Sequence, residues 1–294
     1  MRRRGKIEWG TDRGHGMRIS RRTTVAVLAG VLLTRRAQPE GAERIRYETE
    51  RAMIVFEAGT LSEEEMESFA RLVDRGIADI ESVVGAGLPP DARRVGRLRY
   101  VVTRRVWMSQ TRGRTVFLPL ERVRTRSAPY LHETTHALMP SRSDCLWLSE
   151  GFASYLESWV SENLGGYDAH IFSTAGDRGI HDAARRLLKV DDGLAALPFV
   201  GRSGTPPGLF ADRERVAGPY YVLSQSFLKF LVERTSVETV VRLFEEPDIS
   251  GALAKATGRG TEELRREWLG TLGGGALLEL AEMPPHTPRP PGLY

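Results

Sequence analysis

Cysteine is nearly absent from this chain, with Cys145 alone among 294 residues. One cysteine cannot close a disulfide within the chain, so the predicted fold does not depend on oxidation. Paired-cysteine metal clusters, glycine-rich phosphate loops and internal repeats are also absent, which excludes the classes of protein built on them. Cys145 is predicted to be a small apolar side chain that fills the interior, and the alternative is that its thiol approaches a metal.

A basic excess is missing from most of the sequence, although the whole chain has a formal net charge of +4. Residues 1–46 hold twelve of the 42 Lys and Arg side chains and four of the 38 Asp and Glu side chains, which leaves 30 basic and 34 acidic side chains for residues 47–294. A nucleic-acid-binding domain needs a basic surface that faces the phosphate backbone. We therefore expect no nucleic acid partner.

No apolar run is long enough to cross a bilayer as a helix, which takes about 20 residues. The stretch 23–33 (TTVAVLAGVLL) is mostly apolar, follows three arginines and has the length of a signal-peptide core. Residues 1–46 are therefore predicted to be a leader that exports the protein to the periplasm or cell envelope, or tethers it to a membrane. Arg35 and Arg36 follow the run directly, so the alternative is a buried N-terminal segment of a cytoplasmic protein.

The composition is that of a folded, soluble protein, with 41% apolar and 27% charged residues. We assign residues 47–272 to one domain, in which residues 47–128 hold a sheet and a helix and residues 129–272 are helical. Residues 273–294 contain five prolines and are predicted to be a disordered tail.

The most informative motif is His-Glu-x-x-His at residues 132–136, which lies in a stretch with helical spacing of apolar residues. On an α-helix, residues four apart lie one above the other, so the imidazoles of His132 and His136 can face one metal ion. Glu133 is then held beside the metal's open side, where a general base is useful. The alternative is a helix that carries two unrelated histidines.

A third ligand is offered by Glu150, which lies in a second helical stretch, Leu-Ser-Glu-Gly-Phe-Ala-Ser-Tyr, after a break at Pro140. Zinc accepts histidine nitrogen and carboxylate oxygen, and a catalytic zinc site uses three protein ligands and leaves the fourth position to water. His132, His136 and Glu150 are therefore predicted to bind Zn²⁺.

The sequence Trp-Leu-Ser-Glu-Gly-Phe-Ala after His-Glu-Thr-Thr-His-Ala-Leu resembles the gluzincin metallopeptidases, in which a glutamate on a second helix is the third zinc ligand. The zinc aminopeptidases typically have Trp-Leu-Asn-Glu-Gly-Phe-Ala at this place. Thirteen residues separate His136 from Glu150, a short spacing that resembles the compact bacterial domains of the peptidase MA group. The resemblance spans about residues 53–272. It implies an α+β, zincin-like fold with a small mixed N-terminal sheet, an active-site helix and a mainly helical C-terminal part.

Three strands and one long helix are predicted ahead of the motif. The strands are residues 51–57, 98–103 and 115–118. Ser62 and the acidic residues after it begin an amphipathic helix of about twenty residues. Pro119 cannot donate to a strand ladder, which favours a sheet-edge position for residues 115–118. In zincins such a strand borders the cleft and can pair with a substrate peptide, which places residues 113–117 there; the alternative is an ordinary edge strand.

Residues 219–235 predict a buried helix that opens with Tyr220 and Tyr221. In gluzincins a tyrosine near the start of such a helix can hydrogen-bond the oxyanion, and in the compact domains it precedes a core aromatic residue by six positions. Counting back from Phe227 selects Tyr221 and leaves Tyr220 open. The alternative is that both rings pack in the core.

Together these residues predict a zinc-dependent metallopeptidase in which Glu133 is the general base for a zinc-activated water and Tyr221 stabilises the oxyanion. The aminopeptidases hold a substrate's free amine with a Gly-x-Met-Glu-Asn segment, and none precedes His132. We therefore expect an endopeptidase that acts on peptide or protein substrates. Two other interpretations stay open: an inactive zincin-fold binding or scaffold protein, and a zinc hydrolase of non-peptide substrates.

Overall fold

The computed structural model describes residues 44–88, 96–141, 143–167, 176–209 and 213–273, all within one compact unit. The class is α+β, as the sequence predicts, with a five-stranded sheet and ten α-helices among these residues. The stretch predicted as a leader lies outside the described residues up to residue 43, and so does the predicted tail from residue 274 onward.

The sheet has the strand order β1-β2-β3-β5-β4. Its strands are β1 (Arg44–Glu48), β2 (Ala52–Glu57), β3 (Leu98–Thr103), β4 (Gln110–Arg112) and β5 (Thr115–Pro119). The three central strands are parallel, and β1 and β4 pair antiparallel at the two edges. Ala52, Ile54 and Phe56 alternate along β2 and are fully buried, because successive side chains of a strand point to opposite faces and this face carries the core.

The prediction that residues 115–118 form the sheet edge is wrong. Strand β5 pairs with β3 on one side and with β4 on the other. Pro119 is the last residue of β5 and directly precedes a helix, so its missing N–H falls where the strand ends. The edge is β4, which turns into β5 through Gly113 at a φ of +56°. Three residues are too few to produce a readable alternation of apolar and polar side chains.

Helix α1 (Glu63–Val84) packs on β1 and β2 and begins at Ser62, as predicted. The Ser62 hydroxyl accepts from the Glu65 N–H at 3.2 Å, and the Glu65 carboxylate accepts from the Ser62 N–H at 2.7 Å. Such a capping box stabilises a helix start by about 1 kcal/mol. The buried face consists of Met66, Phe69, Ala70, Val73, Gly76, Ile77, Ile80 and Val84.

Nine further α-helices occupy the described part of the chain after the sheet. They are α2 (Leu120–Arg124), α3 (Tyr130–Leu138), α4 (Leu146–Asn163), α5 (Ile180–Leu187), α6 (Asp191–Ala196), α7 (Gly218–Arg234), α8 (Val237–Leu243), α9 (Ile249–Thr257) and α10 (Thr261–Gly273). The two longest of these nine, α4 and α7, pack against each other and form the centre of the helical part. Within the described residues, no helix is both long and apolar enough to cross a membrane.

Candidate metal centre

Helix α3 carries the His-Glu-x-x-His motif, and a buried hydrogen-bond chain fixes its rotation about its own axis. Thr134 Oγ1 donates to the Tyr130 carbonyl at 2.5 Å, so the Tyr100 hydroxyl on β3, 2.6 Å away, must donate to Thr134. Thr134 therefore faces the sheet. His132 and His136 lie two positions away on either side of it and face a cleft in the opposite direction.

Helix α4 brings the third predicted ligand to the same point. Glu150 lies near its start, and the connector from α3 consists of residues 139–145. The Glu150 Oε2 atom lies 3.1 Å from His132 Nε2 and 3.4 Å from His136 Nε2, and the two Nε2 atoms are 3.1 Å apart. Among the residues that the structure describes, this is the one group of three such side chains close enough to share a metal ion.

The spacing of these three atoms fits a tetrahedral zinc ion. Bonds of 2.0–2.1 Å from zinc to nitrogen or oxygen place the ligand atoms about 3.3 Å from one another. The observed separations of 3.1, 3.1 and 3.4 Å are close to this value, so the three side chains would be able to hold such an ion together. Two imidazole nitrogens and one carboxylate oxygen are also ligand types that zinc prefers.

The charge state of Glu150 suits a cation. Burial raises the pKa of its carboxyl, but His136 and His132 lower it by more, and the net pKa lies well below the usual range. Burial lowers the pKa of the His136 imidazole, but the Glu150 carboxylate raises it by more, so the net pKa of His136 is raised. Glu150 is therefore ionised at neutral pH, which is the form of a carboxylate that binds a metal.

The Nδ1 atoms of the two histidines, which face away from Glu150, have different surroundings. Ser149 Oγ lies within hydrogen-bond distance of His136 Nδ1, at 3.1 Å. With Nε2 bound to a metal ion, Nδ1 would carry the ring proton and donate it to this hydroxyl. The His132 Nδ1 atom is buried and has no hydrogen-bond partner among the described residues. Its ring instead packs edge-on against Tyr221, with the centroids 6.1 Å apart. Sequence reasoning missed Ser149, although the polar Asn that precedes the glutamate in the aminopeptidases was a signal for it.

The predicted general base lies beside this group and is held by the sheet. Glu133 is 7% exposed. Thr111 Oγ1, on the edge strand β4, lies 2.7 Å from Glu133 Oε2 and 2.9 Å from the Glu133 carbonyl oxygen. Sequence reasoning missed this contact because β4 itself was not predicted.

A cleft of about 490 Å³ joins these side chains to the surface. Tyr221 lines it together with the three metal-ligand candidates and Glu133. Tyr220, the other tyrosine that the sequence left open, is fully buried and belongs to the core, and burial raises the pKa of its hydroxyl. Of the two tyrosines, Tyr221 is thus the one that lines the cleft.

Strand β4 and the residues around it form one wall of the cleft. The lining there comprises Met108, Ser109, Gln110, Thr111 and Gly113. Within the described residues, no strand pairs with the outer edge of β4.

Cys145 precedes the first residue of α4 and packs partly buried against the core. Burial raises the pKa of its thiol, so the side chain stays neutral at neutral pH. In the described part of the chain, the ligand group consists of His132, His136 and Glu150 and does not include this thiol.

Comparison with protein-family models, with curated proteins and with solved structures finds no match for this chain. The molecule is therefore defined by its own features: an α+β fold and a cluster of two histidines and one glutamate that fits a metal ion.

Proposed function

We propose that this protein is a zinc-dependent metallopeptidase of the gluzincin type with a zincin-like fold. One observation carries the proposal: the ligand atoms of His132, His136 and Glu150 meet at 3.1–3.4 Å in a cleft that also holds Glu133. Two histidines four residues apart come together on any α-helix. Glu150 belongs to a different helix, so its oxygen reaches the same point only through the tertiary packing of the two helices.

His132, His136 and Glu150 would hold Zn²⁺, which supplies a Lewis acid that lowers the pKa of a bound water and polarises the scissile carbonyl. Glu133 accepts a proton from the attacking water and returns it to the leaving amine. Its burial and its bond to Thr111 aim the carboxylate into the cleft. The Tyr221 hydroxyl donates to the oxyanion that develops on the carbonyl.

The substrate that the cleft favours is an extended peptide. The outer edge of β4, unpaired within the described residues, offers main-chain donors and acceptors to such a chain. An edge that runs beside the reacting groups suits cleavage within a chain, so we propose an endopeptidase. Export to the cell envelope stays a prediction from residues 1–46.

The decisive experiment combines zinc analysis with a peptide-library cleavage assay on the wild type and on Glu133→Gln. We expect one zinc per chain in both proteins and a fall in cleavage rate of about 10²- to 10⁴-fold in the variant, because only proton transfer is removed. Glu121→Gln, at an exposed position on α2, is the matched control and should change neither quantity.

Three other outcomes of this experiment would contradict the proposed function. A Glu133→Gln variant that cleaves at the wild-type rate would refute the mechanism. A wild type that binds no zinc would indicate the inactive scaffold, and one that binds zinc without cleaving any peptide would indicate a hydrolase of another substrate class.

A further inference from the structure

The contact between β4 and Glu133 is unusual because one hydroxyl reaches two oxygens of the same residue. Thr111 Oγ1 lies 2.7 Å from the carboxylate Oε2 and 2.9 Å from the main-chain carbonyl oxygen of Glu133. A threonine hydroxyl has one proton to donate and two lone pairs that accept. It can therefore donate to either of these two oxygens.

We propose that Thr111 is a positioning residue that holds the carboxylate of the general base Glu133 in one place; this rests on the proposed function. Thr111 donates to Oε2 and keeps that oxygen in place, so Oε1 is the oxygen that takes the proton of the attacking water. Oε1 then passes this proton to the leaving amine, and Thr111 itself neither gains nor loses a proton.

The physical advantage of this contact is that the Glu133 carboxylate keeps the same position throughout the reaction. A free glutamate side chain has several rotamers, and restricting them costs free energy that rises with the number of rotatable bonds. Threonine is branched at Cβ and stiff at χ1, so it holds its hydroxyl in a defined position. The strand that would pair with substrate thus also orients the group that acts on the scissile bond.

The test uses two substitutions in the full chain. Thr111→Val removes the hydroxyl and keeps the branched shape and the strand propensity, whereas Thr111→Ser keeps the hydroxyl. For Thr111→Val we expect kcat to fall roughly ten- to a hundredfold, because a misplaced base costs that much. KM and the zinc dissociation constant should stay within about twofold of the wild type, since neither ligands nor substrate contacts change. Thr111→Ser should recover most of kcat.

A second readout does not depend on turnover. The infrared difference between the wild type and Glu133→Gln isolates the carboxyl bands of Glu133, and the same difference taken in the Thr111→Val background should show those bands shifted. In the Thr111→Ser background they should stay in place.

The proposal is overturned if Thr111→Val leaves both kcat and the Glu133 bands unchanged, or if Thr111→Ser loses as much of either as Thr111→Val does. Its failure is distinct from failure of the peptidase function. If the wild type cleaves no peptide and Thr111→Val still shifts the bands, the positioning contact stands and the catalytic role of Glu133 falls.

Discussion

At the scale of single residues, the ring of His136 is held between a charged and a neutral partner. Its Nε2 faces the Glu150 carboxylate at 3.4 Å, and its Nδ1 faces the Ser149 hydroxyl at 3.1 Å. A hydrogen bond on the far nitrogen of a ligating histidine fixes the tautomer and the ring plane. If His136 binds zinc through Nε2, as we propose, Ser149 would hold the ring with that nitrogen toward the metal.

Ser149→Ala should weaken zinc binding by about ten- to a hundredfold, because the ring loses that orientation. The measurement is competition for zinc against a chelator of known affinity. Ser82→Ala is the matched control, since Ser82 is exposed on α1 and bonds only a carbonyl of its own helix among the described contacts. Equal zinc affinities in the two variants would contradict this role for Ser149.

Tyr221 and Tyr220 are adjacent in sequence and differ in surroundings, so they form a natural test pair. Tyr221→Phe should lower kcat on the order of a hundredfold by removing the donor to the oxyanion, with little change in zinc content. Tyr220→Phe should leave kcat near the wild-type value, because Tyr220 lies in the core. It should change the free energy of unfolding by less than about 1.5 kcal/mol, because phenylalanine keeps the buried ring. Steady-state kinetics on both proteins decide the question, and a larger kcat loss in Tyr220→Phe would reverse the assignment.

At the scale of elements, the close packing of α4 on α7 brings Glu150 and Tyr221 to the same cleft. Gly151, directly after Glu150, permits it: a Cβ at this position would lie 2.8 Å from the main chain of Ser224 on α7. A main-chain neighbour cannot swing aside as a side chain can. The glycine in Glu-Gly-Phe-Ala is thus required by packing as well as by the site beside it.

Gly151→Ala should therefore lower the free energy of unfolding by about 1–3 kcal/mol, the usual cost of overpacking, and should also weaken zinc binding. Gly270→Ala, on the exposed face of α10 with open space around it, is the control and should raise stability by about 0.5–1 kcal/mol. Denaturant unfolding of both variants measures the two effects. A Gly151→Ala protein as stable as the wild type would show that α4 and α7 can move apart freely.

Elements also differ in how well local sequence predicts them. Helix α1 was predictable because Ser62 and Glu65 cap it and apolar residues recur over 22 positions. Strand β4 was not, because three residues carry no period and only the assembled sheet shows that they pair with β5. The error about the sheet edge and the missed Thr111 contact have this same cause.

At the scale of the whole molecule, the cluster joins the sheet to the helical part. Thr134 ties α3 to β3 through Tyr100, and Thr111 ties it to β4. Glu150 comes from α4, which packs on α7. A metal ion bound between these parts is bound by the folded state and not by the unfolded chain, so binding stabilises the fold.

We therefore expect zinc at 100 times its dissociation constant to stabilise the protein by about 2.7 kcal/mol, which corresponds to a rise in Tm of roughly 5–10 °C. A chelator should remove the effect, and His136→Ala should abolish it. His181→Ala is the control: His181 hydrogen-bonds Ser226 on α7, away from the ligand group, so its variant should keep the zinc-dependent rise. Thermal unfolding with and without zinc measures all three, and a rise retained in His136→Ala would place the metal elsewhere.

The sequence by itself determined the long capped helix and the candidate ligands, because helical spacing and capping are local and the type of side chain sets the chemistry. The family resemblance added the α+β class, which the structure has, and the proposed roles of Glu133 as general base and of Tyr220 or Tyr221 as oxyanion donor. Only the tertiary structure decided which tyrosine reaches the cleft, that Ser149 and Thr111 contact His136 and Glu133, and that β4 is the sheet edge. These depend on contacts between residues far apart in the chain, and no local pattern records them.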